Sequence, residues 1–237
     1  MKLTGFEVIS FDCYGTLIDW ESGLYTALEP LRARAGADLP REVVLQAFSR
    51  LESAQQAKTP ALTYPELLGA VHGQLAAEWG VVADAGEDAA FGASVGKWPA
   101  FPDTVEALRY LKRHVRLVIL SNVDRGSFAA TNVGLGVTFD AVYTAQDIGS
   151  YKPDRRNFDY LLERLNEQGV AKEKVLHVAQ SLFHDHVPAN AVGLASAWID
   201  RRGGGGWGAT APVSSDVRYD FRFESLGALA EAHRAGG

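Results

Sequence analysis

The sequence predicts an α/β protein: a doubly wound, mainly parallel sheet with an α-helical cap inserted after its first strand. Two observations favour this fold class. Short apolar runs that end in polar residues, as buried parallel strands do, occur at the start of the chain and again after residue 102. Between them the apolar residues have helical spacing. The 237 residues are 47% hydrophobic with a mean hydropathy of −0.07, which is ordinary for a globular protein with a substantial core.

The first predicted strand is the apolar run that begins at Phe6 and ends at Phe11. Asp12 follows it directly and Gly15 supplies a turn, so Asp12 is predicted to lie where the strand enters a loop. Ligands of open α/β sheets bind beyond the carboxyl ends of the strands, and a carboxylate placed there can act as a nucleophile. The alternative is that Asp12 only caps the strand end.

The segment from about residue 20 to 98 is predicted to be almost purely helical, because its apolar residues recur at intervals of three and four. Pro30 predicts a kink, and Thr63 is a candidate N-cap. The predicted helices are Ser22–Gly36, Pro40–Ala57, Thr63–Gly80 and the more weakly patterned Ala83–Val95. The stiff segment Trp98–Pro102 is interpreted as a hinge, so residues 19–99 are assigned to a helical cap domain.

After Pro102, strands and short helices alternate, which indicates βαβ units of a parallel sheet. Residues 1–18 and 100–237 are therefore assigned to one α/β core domain. The predicted strands are Val115–Leu120, Phe139–Thr144, Lys174–Ala179, Ser196–Asp200 and Val217–Phe223. The predicted helices are Asp103–Arg113, Ser127–Val133, Asn157–Gln168, His186–Val192 and Ser225–His233, and Arg201–Gly208 is a glycine-rich loop.

Polar side chains follow the later strands as well. Ser121 and Asn122 end an apolar run, and their hydroxyl and amide groups suit a carboxylate or phosphate oxygen. The alternative is a turn that caps the next helix. Lys152 would hold Asp12 ionised if it lay opposite, because a nearby opposite charge favours the charged form. For this residue the alternative is a solvated surface lysine.

Four segments resemble, in order, the motifs of the haloacid dehalogenase superfamily. They are residues 10–17 (Ser-Phe-Asp-Cys-Tyr-Gly-Thr-Leu), Ser121-Asn122, Tyr-Lys-Pro-Asp at 151–154, and residues 177–189 (His-Val-Ala-Gln-Ser-Leu-Phe-His-Asp-His-Val-Pro-Ala). Phosphatases of the superfamily carry a second carboxylate where this chain has Tyr14, and a phenol with a pKa of about 10 substitutes poorly for it. The first motif is instead similar to the L-2-haloacid dehalogenase branch, whose halide leaving group needs no proton. The resemblance implies a Rossmann-like core with an inserted cap.

The fourth motif favours the same branch. Phosphatases have Gly-Asp-Ser-x-x-x-Asp here, and both acids help to hold Mg²⁺. In this chain Gln180 replaces the first acid, whereas Ser181 and Asp185 are kept. Mg²⁺ prefers hard, mostly anionic oxygen ligands, and Asp12 and Asp185 alone would have to offset its charge. The resemblance therefore implies neither a metal nor a cofactor.

The resemblance also assigns roles to individual residues. Arg50 is the nearest candidate for a cap arginine that binds substrate carboxylate and halide in the dehalogenases, and a solvent-facing arginine is the alternative. Phe158 stands where the family has a tyrosine, so a phenol donor is lost near the site. Trp20 and Phe48 are expected among apolar cap residues that cover the site. The expected catalytic residues are Asp12, Lys152 and Asp185, and the expected substrate-binding residues are Tyr14, Thr16, Ser121, Asn122, Ser181 and Arg50.

The function implied is metal-independent hydrolysis of short 2-haloalkanoic acids to 2-hydroxy acids through an aspartyl ester. Two alternatives stay open at this point. One is a Mg²⁺-dependent phosphatase of small phosphorylated metabolites. The other is a binding or regulatory protein that kept only the fold.

Composition limits the remaining classes. A net charge of −6 and a pI near 5.5 argue against nucleic acid as a partner. No apolar run approaches the ~18 residues of a membrane span, and no signal peptide is recognised. The single cysteine, Cys13, excludes an internal disulfide and fits a reducing cytoplasm. His184 and His186 could suggest zinc, but no Cys or nearby His completes a tetrahedral set. The sequence leaves a homodimer open as the assembly.

Overall fold

The computed structural model describes residues 1–36, 39–59, 62–201 and 217–236. In these residues six strands form one parallel sheet in the order β3-β2-β1-β4-β5-β6. The strands are β1 (Val8–Phe11), β2 (Arg116–Ser121), β3 (Ala141–Thr144), β4 (Val175–Ala179), β5 (Ala195–Ile199) and β6 (Phe221–Phe223). Successive strands add outward from β1 on both sides, so the doubly wound parallel fold class predicted from the sequence is confirmed.

The register of the central strands brings their carboxyl ends together. Phe11, the last residue of β1, pairs with Ile119 on one side and Val178 on the other. Asp12 therefore emerges between the ends of β2 and β4. This edge is where an open α/β sheet binds its ligands.

Helices cover both faces of the sheet. Because side chains alternate along a strand, Ile9 and Phe11 belong to one apolar cluster and Val8 belongs to another. The described helices are α1 (Trp20–Ala27), α2 (Glu29–Ala35), α3 (Arg41–Lys58), α4 (Tyr64–Glu78), α5 (Ala85–Gly92), α6 (Thr104–Leu111), α7 (Arg125–Leu135), α8 (Ala145–Ile148), α9 (Arg156–Glu167), α10 (Val187–Ala191) and α11 (Leu226–Arg234). Short 3₁₀ turns occupy Leu3–Gly5, Ala93–Lys97 and Lys172–Lys174.

Between β1 and α6 the regular elements described are helical. The predicted helix over Ser22–Gly36 is divided at Leu28, two residues before Pro30. At the start of α4, the backbone N–H of Thr63 donates to the Glu66 carboxylate over 2.9 Å, as an N-cap does. Ile18 pairs antiparallel with Ala100, so the two ends of this segment lie side by side. The division into core and cap domains stays a prediction.

Several element boundaries differ from the sequence-based ones. The third strand begins at Ala141 rather than Phe139, and the last comprises only Phe221–Phe223. The predicted loop Arg201–Gly208 lies outside the described residues beyond Arg201. The helix expected from His186 is preceded by a π-helical turn over Leu182–His186, and such turns often mark functional sites. Among the described residues we found no helix with the length and hydrophobicity needed to cross a membrane.

Candidate active site

Asp12 lies in a buried position at the carboxyl end of β1. Its Oδ2 accepts a hydrogen bond from Thr16 Oγ1 at 2.7 Å, and its Oδ1 accepts one from Lys152 Nζ at 2.9 Å. Thr16 in turn accepts a bond from the backbone N–H of Gln180 at 2.9 Å. The turn after β1 therefore fixes the direction in which the Asp12 carboxylate points.

Lys152 joins the two carboxylates of the site. With only 2% of its surface exposed, it is not a solvated surface lysine. Its ammonium donates to Asp12 Oδ1 at 2.9 Å, Asp185 Oδ1 at 2.7 Å and the backbone carbonyl of Leu120 at 3.0 Å. An ammonium has three N–H donors, so these bonds use all of them.

Asp185 is supported from behind by a histidine on β4. His177 Nε2 donates to Asp185 Oδ1 at 3.0 Å, because a carboxylate oxygen can only accept. The other ring nitrogen of His177 lies 2.9 Å from Ser10 Oγ. Asp185 Oδ2, in contrast, is buried and has no hydrogen-bond partner among the described residues. A buried acceptor without a partner is costly unless a ligand or water meets it.

Burial and charge act on the ionisation of these groups in opposite directions. Burial raises the pKa of Asp12, and the Lys152 ammonium opposes that shift. For Asp185, burial would also raise the pKa, but Lys152 and His177 together outweigh it and hold the pKa well below its usual range. Burial alone would lower the pKa of Lys152, yet the two carboxylates raise it. The cluster is therefore a fixed cation between two anions, and Asp12 is the less firmly ionised of the two.

Ser121 and Asn122 lie together at the end of β2 but make different contacts. Ser121 Oγ is buried without a partner among the described residues and lines the cleft above Asp12. Asn122 uses its amide on the backbone of Lys152: Oδ1 accepts from the Lys152 N–H at 2.6 Å, and Nδ2 donates to the Lys152 carbonyl at 2.9 Å. Ser121 is thus free to meet a ligand, whereas Asn122 holds the lysine segment in place.

Tyr14 and Ser181 also line this cleft. The Tyr14 hydroxyl lies 2.8 Å from Thr131 Oγ1, and burial raises the pKa of the phenol well above its ordinary value. Ser181 Oγ accepts a hydrogen bond from the backbone N–H of His184 at 3.1 Å and caps the π-helical turn that carries Asp185. Burial lowers the pKa of His184 to about 4, so its ring is neutral at pH 7.

Three residues that were expected at the cleft, Arg50, Thr16 and Phe48, do not line it. Arg50 lies on the outer surface, where it pairs with Glu78 of α4 at 2.5 Å, and it does not reach the cleft. Thr16 lies behind Asp12 rather than on the cleft wall. Phe48 is fully buried in the helical segment, packed against Trp20 with ring centroids 6.0 Å apart, and only the tryptophan lines the cleft. Arg50 misses the cleft because its position on α3 is rotated away from the cleft-facing side of the helix.

The cleft is a cavity of about 120 Å³ between the sheet edge and the helices α3 and α4. Its helical wall carries four polar side chains beside two aromatic ones. The residues of this wall are Trp20, Ser49, Glu52, Ser53, Gln56 and Tyr64. Sequence reasoning missed Glu52, although the polar residues 49, 52, 53 and 56 share one helix face by spacing. It also missed His177, which the pairing of Ser10 with His177 across β1 and β4 brings to Asp185.

The donors at the site do not fit Mg²⁺. The positions that supply carboxylates in the phosphatases hold the phenol of Tyr14 and the amide of Gln180. Burial keeps Tyr14 neutral, and the Asp12 and Asp185 carboxylates share the Lys152 ammonium as their counter-ion. Mg²⁺ takes octahedral oxygen ligands, and once Lys152 is offset the two carboxylates leave one net negative charge against the two positive charges of the ion. Among the described residues, no cluster of three His, Cys, Asp or Glu side chains could hold a metal, and this includes His184 and His186.

Fold and site together define a doubly wound α/β protein with a buried aspartate at the end of its central strand and a lysine bridging two carboxylates. The family model of the haloacid dehalogenase-like hydrolases matches residues 6–181. The chain belongs to this family.

Curated relatives and solved structures agree with that membership. A Pseudomonas putida protein named (S)-2-haloacid dehalogenase is 31% identical over 107 residues, which is 44% of this chain and 45% of that protein. The mouse haloacid dehalogenase-like hydrolase domain-containing protein 3 is 34% identical over 109 residues, 45% of this chain and 39% of the relative. The matches thus span less than half the length of these curated relatives.

The fold is shared over nearly the whole chain. The structure of L-2-haloacid dehalogenase from Xanthobacter autotrophicus with chloropropionic acid covalently bound superposes with a TM-score of 0.79 at 20% identity. The superposition covers 98% of this chain and 100% of that one. At this identity the likeness establishes a common fold.

Proposed function

We propose that this protein hydrolyses short 2-haloalkanoic acids to 2-hydroxy acids and halide through an ester formed on Asp12. The observation that carries the proposal is the pairing of Asp12 with Lys152 at the floor of the cleft, with no second carboxylate at position 14. A halide leaves as a stable anion and needs no proton, so a neutral Tyr14 is sufficient there. The names of the (S)-2-haloacid dehalogenases among the relatives support the same substrate class.

In the first step an Asp12 carboxylate oxygen attacks carbon 2 of the substrate. The new carbon–oxygen bond forms as the carbon–halogen bond breaks, the halide leaves with the electron pair, and the configuration at carbon 2 inverts. Lys152 offsets the charges of Asp12 and the substrate carboxylate, which would otherwise repel each other in a buried cleft. Ser121 Oγ, buried without a described partner, is placed to donate to the substrate.

In the second step water attacks the carbonyl carbon of the Asp12 ester. The ester bond breaks and the Asp12 carboxylate is restored with one oxygen from water. One of the two water protons passes to the oxygen of the departing 2-hydroxy acid, and the other is released to solvent. Asp185 Oδ2 is the acceptor that would orient this water, since it is buried at the cleft without another described partner. The low pKa of Asp185 suits orientation of the water better than strong base catalysis.

The helical segment 19–99 acts in this proposal as a cap that closes over the cleft and excludes water until the ester has formed. Residues 1–18 and 100–237 form the core domain that carries Asp12, Lys152 and Asp185. A cytoplasmic location fits the reduced, buried Cys13. A homodimer stays a prediction from the sequence.

Halide release from L-2-chloropropionate, measured with and without EDTA, tests the activity. We expect equal rates, and dependence on added Mg²⁺ would contradict the proposal. A single turnover in ¹⁸O-water with excess enzyme tests the route. The label should appear in the Asp12 side chain by peptide mass spectrometry, whereas direct attack by water on carbon 2 would place it in the product. Asp12→Asn is the control and should release no halide.

A further inference from the structure

The helical wall of the cleft carries an acidic residue, Glu52, where a basic residue would be expected to bind an anionic substrate. Glu52 lies on α3 and lines the cleft together with Ser53 and Gln56, which share its face of the helix. Lys152 is the only lysine or arginine on the cleft wall among the described residues, and all its donors are engaged. The substrate carboxylate therefore has no uncommitted cation to pair with in the described part of the cleft.

Glu52 itself is in an environment that disfavours charge. Tyr64 of α4 donates its hydroxyl to Glu52 Oε1 at 2.7 Å. Glu52 also interacts electrostatically with the phenol of Tyr151, and Tyr64 interacts in the same way with Tyr14. Burial raises the pKa of Glu52 to about 7, while the Tyr64 hydrogen bond opposes the shift. No ammonium or guanidinium compensates a negative charge on Glu52 among its described contacts.

We propose that Glu52, as a neutral carboxylic acid, donates its O–H to the anionic end of the substrate and thereby replaces a cation as the specificity determinant of the cap wall. This inference rests on the proposed function. A protonated carboxyl has one O–H donor, and Tyr64 occupies the acceptor Oε1, which leaves the O–H on Oε2. An ionised Glu52 would instead repel the substrate carboxylate, so anion binding and protonation of Glu52 favour each other.

The consequence is a pH dependence confined to binding. As the pH rises through the pKa of Glu52, the donor is lost and a repelling charge takes its place. Of the other cleft-lining groups, Tyr14, Tyr64 and Lys152 have raised pKa values, and His184 and Asp185 have lowered ones. Asp12 would give the opposite sign, because its ionisation promotes turnover.

The test is the KM for L-2-chloropropionate between pH 5.5 and 9 in the wild type and in Glu52→Gln. In the wild type KM should rise by roughly tenfold per pH unit above about 7, with kcat unaffected by this ionisation. Glu52→Gln keeps an N–H donor and cannot ionise, so its KM should be flat. Glu42→Gln, the same change at an exposed position in the first turn of α3, should behave as the wild type. Tyr64→Phe should move the rise in KM to higher pH, because it removes the hydrogen bond that lowers the pKa of Glu52.

A wild-type KM that does not change with pH, or a Glu52→Gln variant that keeps the wild-type profile, would overturn the assignment. If the wild type releases no halide at any pH, the proposed function fails and Glu52 is tested by binding alone. Propionate, which has the carboxylate but no leaving group, is then titrated calorimetrically at pH 6 and pH 9. Tighter binding at pH 6 than at pH 9 in the wild type, with no such difference between the two pH values in Glu52→Gln, supports the donor role. Tighter binding by Glu52→Gln than by the wild type at pH 6 contradicts it.

Discussion

Nε2 of His177 lies 3.0 Å from Oδ1 of Asp185, the same oxygen that accepts a hydrogen bond from Lys152. His177 stands opposite Ser10 in the β1–β4 register, and its other ring nitrogen contacts Ser10 Oγ. The polar contacts therefore form a continuous path from Ser10 on β1 through His177, Asp185 and Lys152 to Asp12, which directly follows β1. Ser10 on β1 contacts His177 on β4, His177 holds Asp185, and Asp185 holds the Lys152 ammonium at the edge of the sheet.

His177 is predicted to act on turnover by positioning Asp185. Loss of a hydrogen bond to a charged group is worth about 1.5–3 kcal/mol, so His177→Leu should lower kcat by roughly ten- to a hundredfold with little change in KM. His177→Gln, which keeps an N–H donor, should recover part of the loss. Halide-release kinetics check this, with urea unfolding to confirm that both variants fold. Equal kcat values for the Leu and Gln variants would show that the side chain only fills space.

Lys152→Met should abolish measurable turnover. Without the ammonium, burial and the Asp185 charge raise the pKa of Asp12 further, so the nucleophile is protonated at neutral pH. We expect kcat to fall by at least about a thousandfold, which corresponds to roughly 4 kcal/mol of barrier. Breaking a buried ion pair also costs about 3–5 kcal/mol of stability, so urea unfolding must accompany the kinetics.

Lys58→Met is the matched control for this substitution. Lys58 is the exposed last residue of α3 and lies away from the cleft wall. The control should keep wild-type rates. A Lys152→Met enzyme that folds and turns over within a fewfold of the wild type would contradict the role of Lys152.

The positions of Asp12, Lys152 and Asp185 at the cleft could be predicted from the sequence, because each residue lies in or directly after a short segment with a recognisable pattern. Asp12 directly follows an apolar strand. Because the carboxyl ends of parallel strands lie at the same edge of the sheet, this local pattern predicts the position of Asp12. Lys152 and Asp185 were predicted from segments whose residue types resemble the family's motifs. The Asp12 and Asp185 carboxylates both contact the Lys152 ammonium, which is consistent with that interpretation.

The residues of the helical wall of the cleft could not be predicted in the same way. Arg50 and Glu52 lie two positions apart on one helix, and a helix turns about 200° over two residues. Whether Arg50 or Glu52 faces the cleft depends on how α3 packs against α4 and the core, which periodicity alone does not give. The buried residues Val44 and Phe48 indicate the packed face of the helix only once its neighbours are known.

Ser121 and Asn122 should give different kinetic phenotypes, although they are neighbours. Ser121→Ala removes a donor with no other described partner and should raise KM by roughly tenfold while kcat changes little. Asn122→Ala frees both backbone groups of Lys152 and should lower kcat instead. Steady-state halide release separates the two effects. A raised KM in Asn122→Ala with unchanged kcat would place its amide on the substrate.

The free energy of unfolding should fall with decreasing pH because His186 is buried in its neutral form. Nε2 donates to the Ala179 carbonyl and Nδ1 lies 2.9 Å from Ser196 Oγ, with no exposed surface on the residue. Burial lowers the pKa of His186 from 6.5 to about 4. Between those pH values the unfolded chain binds a proton that the folded chain does not, so stability falls as the pH drops. The expected loss is on the order of 3 kcal/mol across the window.

His186→Gln isolates this contribution from that of the carboxylates, which titrate in both proteins. Urea unfolding at pH 7, 6, 5 and 4.5 should show the variant less stable than the wild type at pH 7, with the gap narrowing steadily towards pH 4.5. Ser196→Ala is the control, because it removes the hydrogen bond to Nδ1 but keeps the titrating ring. Its stability should lie below the wild type by a similar amount at every pH. Parallel wild-type and His186→Gln curves would mean that the ring accepts its proton in the folded protein as readily as in the unfolded chain.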